Sequence, residues 1–293
     1  MRRAFTLMEV LVAVAVVAAL VSIMAPAIGR ARRSAMGTMG FANMAGLSKV
    51  MSGYVADHRE GYLNPFGASP WGHGAYAGLA WTMAYSDSDP IRMRWDFAHP
   101  RCPELHTEGF SKVWYSYLAE YRGGRRNDRE QLSPADRELV SEYRAREREA
   151  GVLEGRELMR TSFLYAPKFW LHSCWFKRED ECGWHCTGVP CGVHTAKQSS
   201  VRAPSRSVVL WERMDFVSRK GAVAWNDRLA RTNVALADGS CDTVRMDELY
   251  ARVESDPRSD LRPLESECEV SPLGLRSFFL HTWHGVEGRD VDR

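Results

Sequence analysis

Three groups of residues in this chain have types and spacings that could do chemistry. The densest lies between positions 172 and 194, where His172, Cys174, Cys182, His185, Cys186, Cys191 and His194 fall within 23 residues. Zinc takes about four thiolate or imidazole ligands at ~2.0–2.3 Å, so Cys174, Cys182, His185, Cys186, Cys191 and His194 are numerous enough to hold one. Successive cysteines are separated by seven, three and four residues, with no paired Cys-x2-Cys frame. Outside the cytoplasm, disulfides are the simpler fate of such a cluster. The chain holds seven Cys, the others being Cys102, Cys241 and Cys268. An odd number leaves at least one without a bridge inside the chain. The second group is one carboxylate, Glu9, set inside the only long apolar run. The third is Asp238 beside Gly239, a pair that either ligates calcium or shapes a turn. No Walker-type loop, Gly-x-Ser-x-Gly, His-Glu-x-x-His or Rossmann fingerprint is present, and no enzymatic activity is expected.

The element that positions Glu9 is the N-terminal segment. Residues 5–28 carry one charge in 24 positions. As a helix they rise roughly 36 Å, enough to cross a hydrocarbon core of about 30 Å. Arg2 and Arg3 precede the run and Arg30, Arg32 and Arg33 follow it. With flanks this evenly charged, the positive-inside rule does not set the orientation. A cleaved secretory signal, cut after Ala27, would have a shorter apolar stretch and no glutamate near its start. Pro26 either kinks the helix or marks its exit from the membrane. Beyond it Met39, Phe41, Met44, Leu47, Val50, Met51, Tyr54 and Val55 recur at three- and four-residue steps. They predict an amphipathic continuation over residues 29–60 whose stripe lies on a globular body.

The opening "RRAFTLMEVLVAV" resembles the processing site of type IV prepilins and pseudopilins, a short basic leader followed by Phe-Thr-Leu-x-Glu and an apolar helix. Ala4 stands where that family usually has Gly. The resemblance implies that residues 1–4 are a leader cut between Ala4 and Phe5 by a prepilin peptidase, which methylates the new Phe5 amine. It implies a helix that packs against other pilin or pseudopilin subunits, with Glu9 neutralised by a neighbour's Phe5 amine. It also implies inner-membrane assembly machinery, as in a type II secretion system or a pilus, and a single-pass protein in the cytoplasmic membrane. Its C-terminal head would lie in the periplasm or outside the cell. The phrase around Tyr54, Ala56, Asp57, Gly61, Tyr62 and Pro65 is similar to the exit from the first helix in planctomycete-like members of this family. Gly61 would end the helix there.

The remainder reads as a soluble body at residues 61–285, with a tail at 286–293 that frays. Mean hydropathy is −0.36 and the net charge is +2, a balance that indicates no nucleic-acid partner. Trp71, Trp81, Trp95 and Trp114 read as core rather than as a sugar-binding face. Residues 123–160 form a densely charged insertion. Ser133 as N-cap, Pro134 in the first turn and Asp136 completing a capping box predict a surface helix, with Leu139, Val140 and Tyr143 as its apolar side. Residues 208–211, a compact apolar run after Pro204, predict a strand. Residues 233–237 and 241–245 predict a hairpin about Asp238 and Gly239. The hairpin is similar to the C-terminal part of the same family, whose processing-associated form has a His where this chain has Arg228.

The expected fold is α+β: a long N-terminal membrane-spanning helix continuing into a head with a small antiparallel sheet. The expected function is a pilin-like or pseudopilin structural subunit without a cofactor. The alternative is a single-span envelope protein whose Cys/His knot holds zinc or disulfides and serves a binding or enzymatic role.

Overall fold

The computed structural model describes residues 7–63, 114–125, 128–150, 160–169, 195–212, 214–216, 222–223, 227–255 and 289–291. The bond between Ala4 and Phe5, the 172–194 cluster, Cys102, Cys268, Trp71, Trp81 and Trp95 lie outside them.

The first element, α1 (Leu7–Asp57), is one helix of 51 residues, about 76 Å long at 1.5 Å per residue. It runs through Pro26 without a break. Its buried positions, Gly40, Met44, Leu47, Ser48, Met51 and Val55, keep the three- and four-residue step of a single face. Met39, expected on that stripe, is exposed.

This face lies on a four-stranded antiparallel sheet. Its strands are β1 (Phe163–Tyr165), β2 (Val208–Glu212), β5 (Arg231–Leu236) and β6 (Cys241–Arg245), in the order β1-β2-β5-β6. A separate pair, β3 (Met214–Asp215) and β4 (Ala222–Val223), is also antiparallel. Every residue of β2 is buried, both the apolar run 208–211 that predicts the strand and the closing Glu212. The edge strand β6 is half-exposed and carries Asp242 and Arg245, charges that discourage pairing with another chain. Long helix and small antiparallel sheet together make the described fold α+β.

The β5–β6 hairpin turns where the sequence places it. Gly239 N–H donates to the Leu236 carbonyl at 2.9 Å and Leu236 N–H to the Ser240 carbonyl at 2.8 Å. Gly239 sits at φ +84, a value glycine reaches without a Cβ clash.

Two local readings change. Helix α1 ends at Asp57, and the left-handed residues that follow are Arg59 (φ 54) and Glu60 (φ 64), not Gly61. Gly61 is required for another reason. A Cβ there would stand 3.0 Å from the His58 carbonyl oxygen and 3.0 Å from the Thr195 methyl, at the bridge between Gly61 and Lys197. The charged helix, α2 (Arg137–Ala150), is capped by Asp136 and not by Ser133. Asp136 Oδ1 accepts from Leu139 N–H at 3.2 Å and its carbonyl from Val140 N–H at 3.0 Å. Ser133 is fully buried and faces α1 instead. Leu139, Tyr143 and Val140 pack with Leu132 as a small second core, as the sequence predicts. The last helix, α3 (Met246–Ser255), follows β6 directly.

The main core gathers Met44, Leu47, Met51 and Val55 of α1 with Trp114, Tyr115 and Leu118, Phe163 to Tyr165, Phe169 and the inner faces of β2 and β5. Trp114 belongs to this core, its Nε1 donating to the Phe163 carbonyl at 2.9 Å. The tail expected to fray is held at residues 289–291. Asp290 is fully buried, and the N–H groups of Asp290 and Val291 donate to the Arg206 carbonyl at 2.8 and 3.2 Å.

Candidate functional site

Helix α1 has two halves with opposite surroundings. In its most apolar 18-residue window none of the chain is buried, and Leu7 and Ile23 are 84% and 73% exposed. An apolar surface of this size is unstable in water, and its length and composition suffice to cross a membrane.

Glu9 lies in the first turn of the helix and is exposed. Arg30, Arg32 and Arg33 follow the apolar stretch and are likewise exposed. At roughly 100° per residue they project on three sides of the helix. Glu9 and Arg30 stand about 32 Å apart along the axis, close to the thickness of a hydrocarbon core. The apolar stretch is thus bounded by an acid at one end and a collar of guanidinium groups at the other. Pro26 lies between them and has no N–H to give the Ser22 carbonyl. The Ser22 hydroxyl donates to the Ala19 carbonyl at 2.7 Å, so that polar group is satisfied within the helix.

The second half is seated on the head. Met44, Leu47, Met51 and Val55 are each at most 3% exposed, and burying such side chains stabilises by about 2 kcal/mol apiece. The seam has a polar upper end. Asn43 Nδ2 donates to the Leu132 carbonyl at 3.0 Å. At Gly40 the helix backbone comes so close that a Cβ would lie 2.9 Å from Ser133 Oγ and 3.4 Å from Glu212 Oε1.

Glu212, at the end of β2, is buried under this approach. Its Oε2 accepts from Asn233 Nδ2 at 2.9 Å, and the buried Ser133 hydroxyl, which makes no hydrogen bond among the described residues, lies beside the same carboxyl. Burial pushes the carboxyl up to about 7; the Ser133 and Asn233 side chains pull it down, and the nearby Asp215 and Asp136 add smaller upward pushes. No feature of the sequence flagged Glu212. A glutamate ending an apolar strand reads as the exposed start of a loop, and its burial follows only from the docking of α1.

A second buried charge joins the tail to the sheet. Lys168 forms an ion pair with Asp290 and donates to Ser207 Oγ at 2.8 Å. Asp290 Oδ2 also accepts from Val208 N–H at 2.6 Å. Burial lowers the Lys168 ammonium and Asp290 opposes that shift.

The remaining sequence candidates fall as follows. Asp238 Oδ1 accepts from Ser240 N–H at 2.9 Å and from Ser240 Oγ at 2.6 Å, which is the turn-forming role. Cys241 is half-buried on β6 and has no disulfide partner among the described residues, the other six cysteines lying outside them. Arg228 pairs with Glu254 on α3 at 2.6 Å. Among the described residues no group of three or more His, Cys, Asp or Glu is placed to hold a metal ion. Comparison with known protein families, with curated proteins and with solved structures found no match.

Proposed function

We propose that this chain is a pilin-like or pseudopilin structural subunit that assembles through its N-terminal helix and does no chemistry of its own. The observation that carries the reading is the division of α1: one continuous helix whose first half is wholly uncovered and whose second half is built into the head's core. Such a helix anchors a folded head in a bilayer and offers an apolar rod for lateral packing with further copies. The prepilin-like leader and Glu9 add the chemistry of processing and registration. Cutting between Ala4 and Phe5 frees an amine at the start of the helix. A carboxylate carried into hydrocarbon is costly unless neutralised, so packing that brings a neighbour's amine to Glu9 is favoured over other registers. The head would lie on the side of the membrane away from the leader.

Expression with and without a prepilin peptidase tests the reading. Mass spectrometry should find a chain beginning at a methylated Phe5 only when the peptidase is present. A chain that keeps Met1 under both conditions would overturn the processing step. Replacing Glu9 by leucine should leave membrane insertion intact and suppress crosslinked oligomers at least ~10-fold, in line with a buried unpaired amine costing more than 1.4 kcal/mol. Unchanged oligomer yield would remove Glu9 from the mechanism.

A further inference from the structure

The seam where α1 meets the head contains a buried acid whose partners treat its two protonation states differently. Glu212 is 4% exposed. The Asn233 amide from β5 holds it by a hydrogen bond, and the Ser133 hydroxyl from the loop before α2 is buried beside it with no hydrogen bond among the described residues, so that its oxygen is free to accept a proton from the neutral acid. The amide is itself oriented, because Asn233 Oδ1 accepts from Thr243 Oγ1 of β6 at 2.8 Å, leaving Nδ2 to face the acid. Among the described residues, the charged groups that bear on Glu212 are Asp215 of β3 and Asp136 at the start of α2, both acidic. Each is already engaged: Asp215 accepts from Arg231 N–H at 2.9 Å, and Asp136 from Ser162 Oγ at 2.9 Å and from Leu139 N–H. From α1 the seam presents backbone at Gly40, and the nearest polar side chain described there, Asn43, is committed to the Leu132 carbonyl.

We propose that Glu212 is a proton-operated latch on the seam between α1 and the head, closed when the carboxyl is neutral and loosened when it ionises. As the neutral acid it lies flush beneath Gly40 with a proton to share with Ser133. As a carboxylate it is a desolvated charge beside two others, and the least disruptive way to hydrate it is to lift α1 at Gly40. The main apolar contacts of α1, at Met44 to Val55, begin one turn further on and hold the helix in place while its upper end moves. The elevated carboxyl, near 7, puts the change within the range a head exposed outside the cytoplasm would meet. The latch depends only on the docked helix, and holds whether or not the chain forms filaments.

Hydrogen exchange on the full-length chain in detergent micelles tests it. After correction for intrinsic base catalysis, amides around residues 37–44 should open at least ~10-fold more readily at about pH 8 than at about pH 5.5, while the β5–β6 hairpin keeps constant protection. Glu212→Gln keeps the shape and cannot ionise. It should hold the low-pH protection at both values. Equal pH dependence in wild type and E212Q, or a wild-type seam whose protection does not change with pH, would overturn the proposal. A change spread equally over the hairpin would also overturn it, since that reports global unfolding and not a latch.

Discussion

At the scale of single residues, two buried acids of the head, Asp290 and Glu212, handle burial differently. Lys168 and Asp290 neutralise each other, with Ser207 and the Val208 amide completing their hydrogen bonds. Breaking such a pair leaves an uncompensated charge, so Asp290→Ala should destabilise the head by about 3–5 kcal/mol in urea unfolding. Replacing both partners together, by Lys168→Met with Asp290→Leu, should recover most of that loss. Among the described residues no cation pairs with Glu212, and burial favours its neutral form. Its folded value, about 7, is raised above the ordinary 4.5. Stability from this group is therefore fully present below about pH 4.5 and is lost as pH rises through about 7, a total near 3 kcal/mol. Glu212→Gln should flatten that window of the stability–pH curve. Neither residue was legible in the sequence. A charged side chain two or more elements away from its partner carries no local pattern, and a near-terminal aspartate looks like any solvated tail.

At the scale of elements, α1 and α2 show which patterns survive folding. The three- and four-residue step of α1 was legible because a helix presents one face to the sheet whatever the sheet's details. The exposed Met39 and the buried Gly40 depart from the apolar pattern for a reason the pattern lacks. Where the helix meets the loop at Ser133 there is no space for a side chain, so the smallest residue takes the contact. Gly40→Val should cost about 1–3 kcal/mol by overpacking, with the loss seen in thermal unfolding, whereas a solvent-facing Gly46→Ala should be neutral or stabilising. The α2 boundary was misplaced by three residues, from Ser133 to Asp136. Both can cap, and tertiary contacts drew Ser133 toward the seam and left the cap to Asp136. The helix is tied to the head through its own small core. Leu139→Ala should cost about 2–5 kcal/mol and raise exchange across α2 without loosening β2 and β5.

At the scale of the whole molecule, the two halves of α1 divide the chain's energetics. The apolar half adds nothing to the head's core, since none of its central window is buried. Deleting residues 1–28 should yield a head that is soluble without detergent and unfolds within about 1 kcal/mol of the full chain, measured by circular dichroism in denaturant. Deleting residues 1–50 removes Met44 and Leu47 from the core and should abolish cooperative unfolding. A head that is insoluble after the first deletion would show that residues 1–28 support the fold, contrary to their exposure.

The sequence by itself determined the elements: a helix long and apolar enough to cross a membrane, its amphipathic continuation, a strand at 208–211 and a hairpin about Asp238 and Gly239. Each follows from side-chain periodicity or turn chemistry within a few neighbouring residues. Only the tertiary structure decided that Gly40 meets Ser133 and Glu212, that Asp290 reaches Lys168 across the head, and that Gly61 is needed for proximity and not for its backbone angle. These depend on which surfaces come within a few ångströms of each other, and burial changes the energy of a charge far more than any neighbour along the chain does.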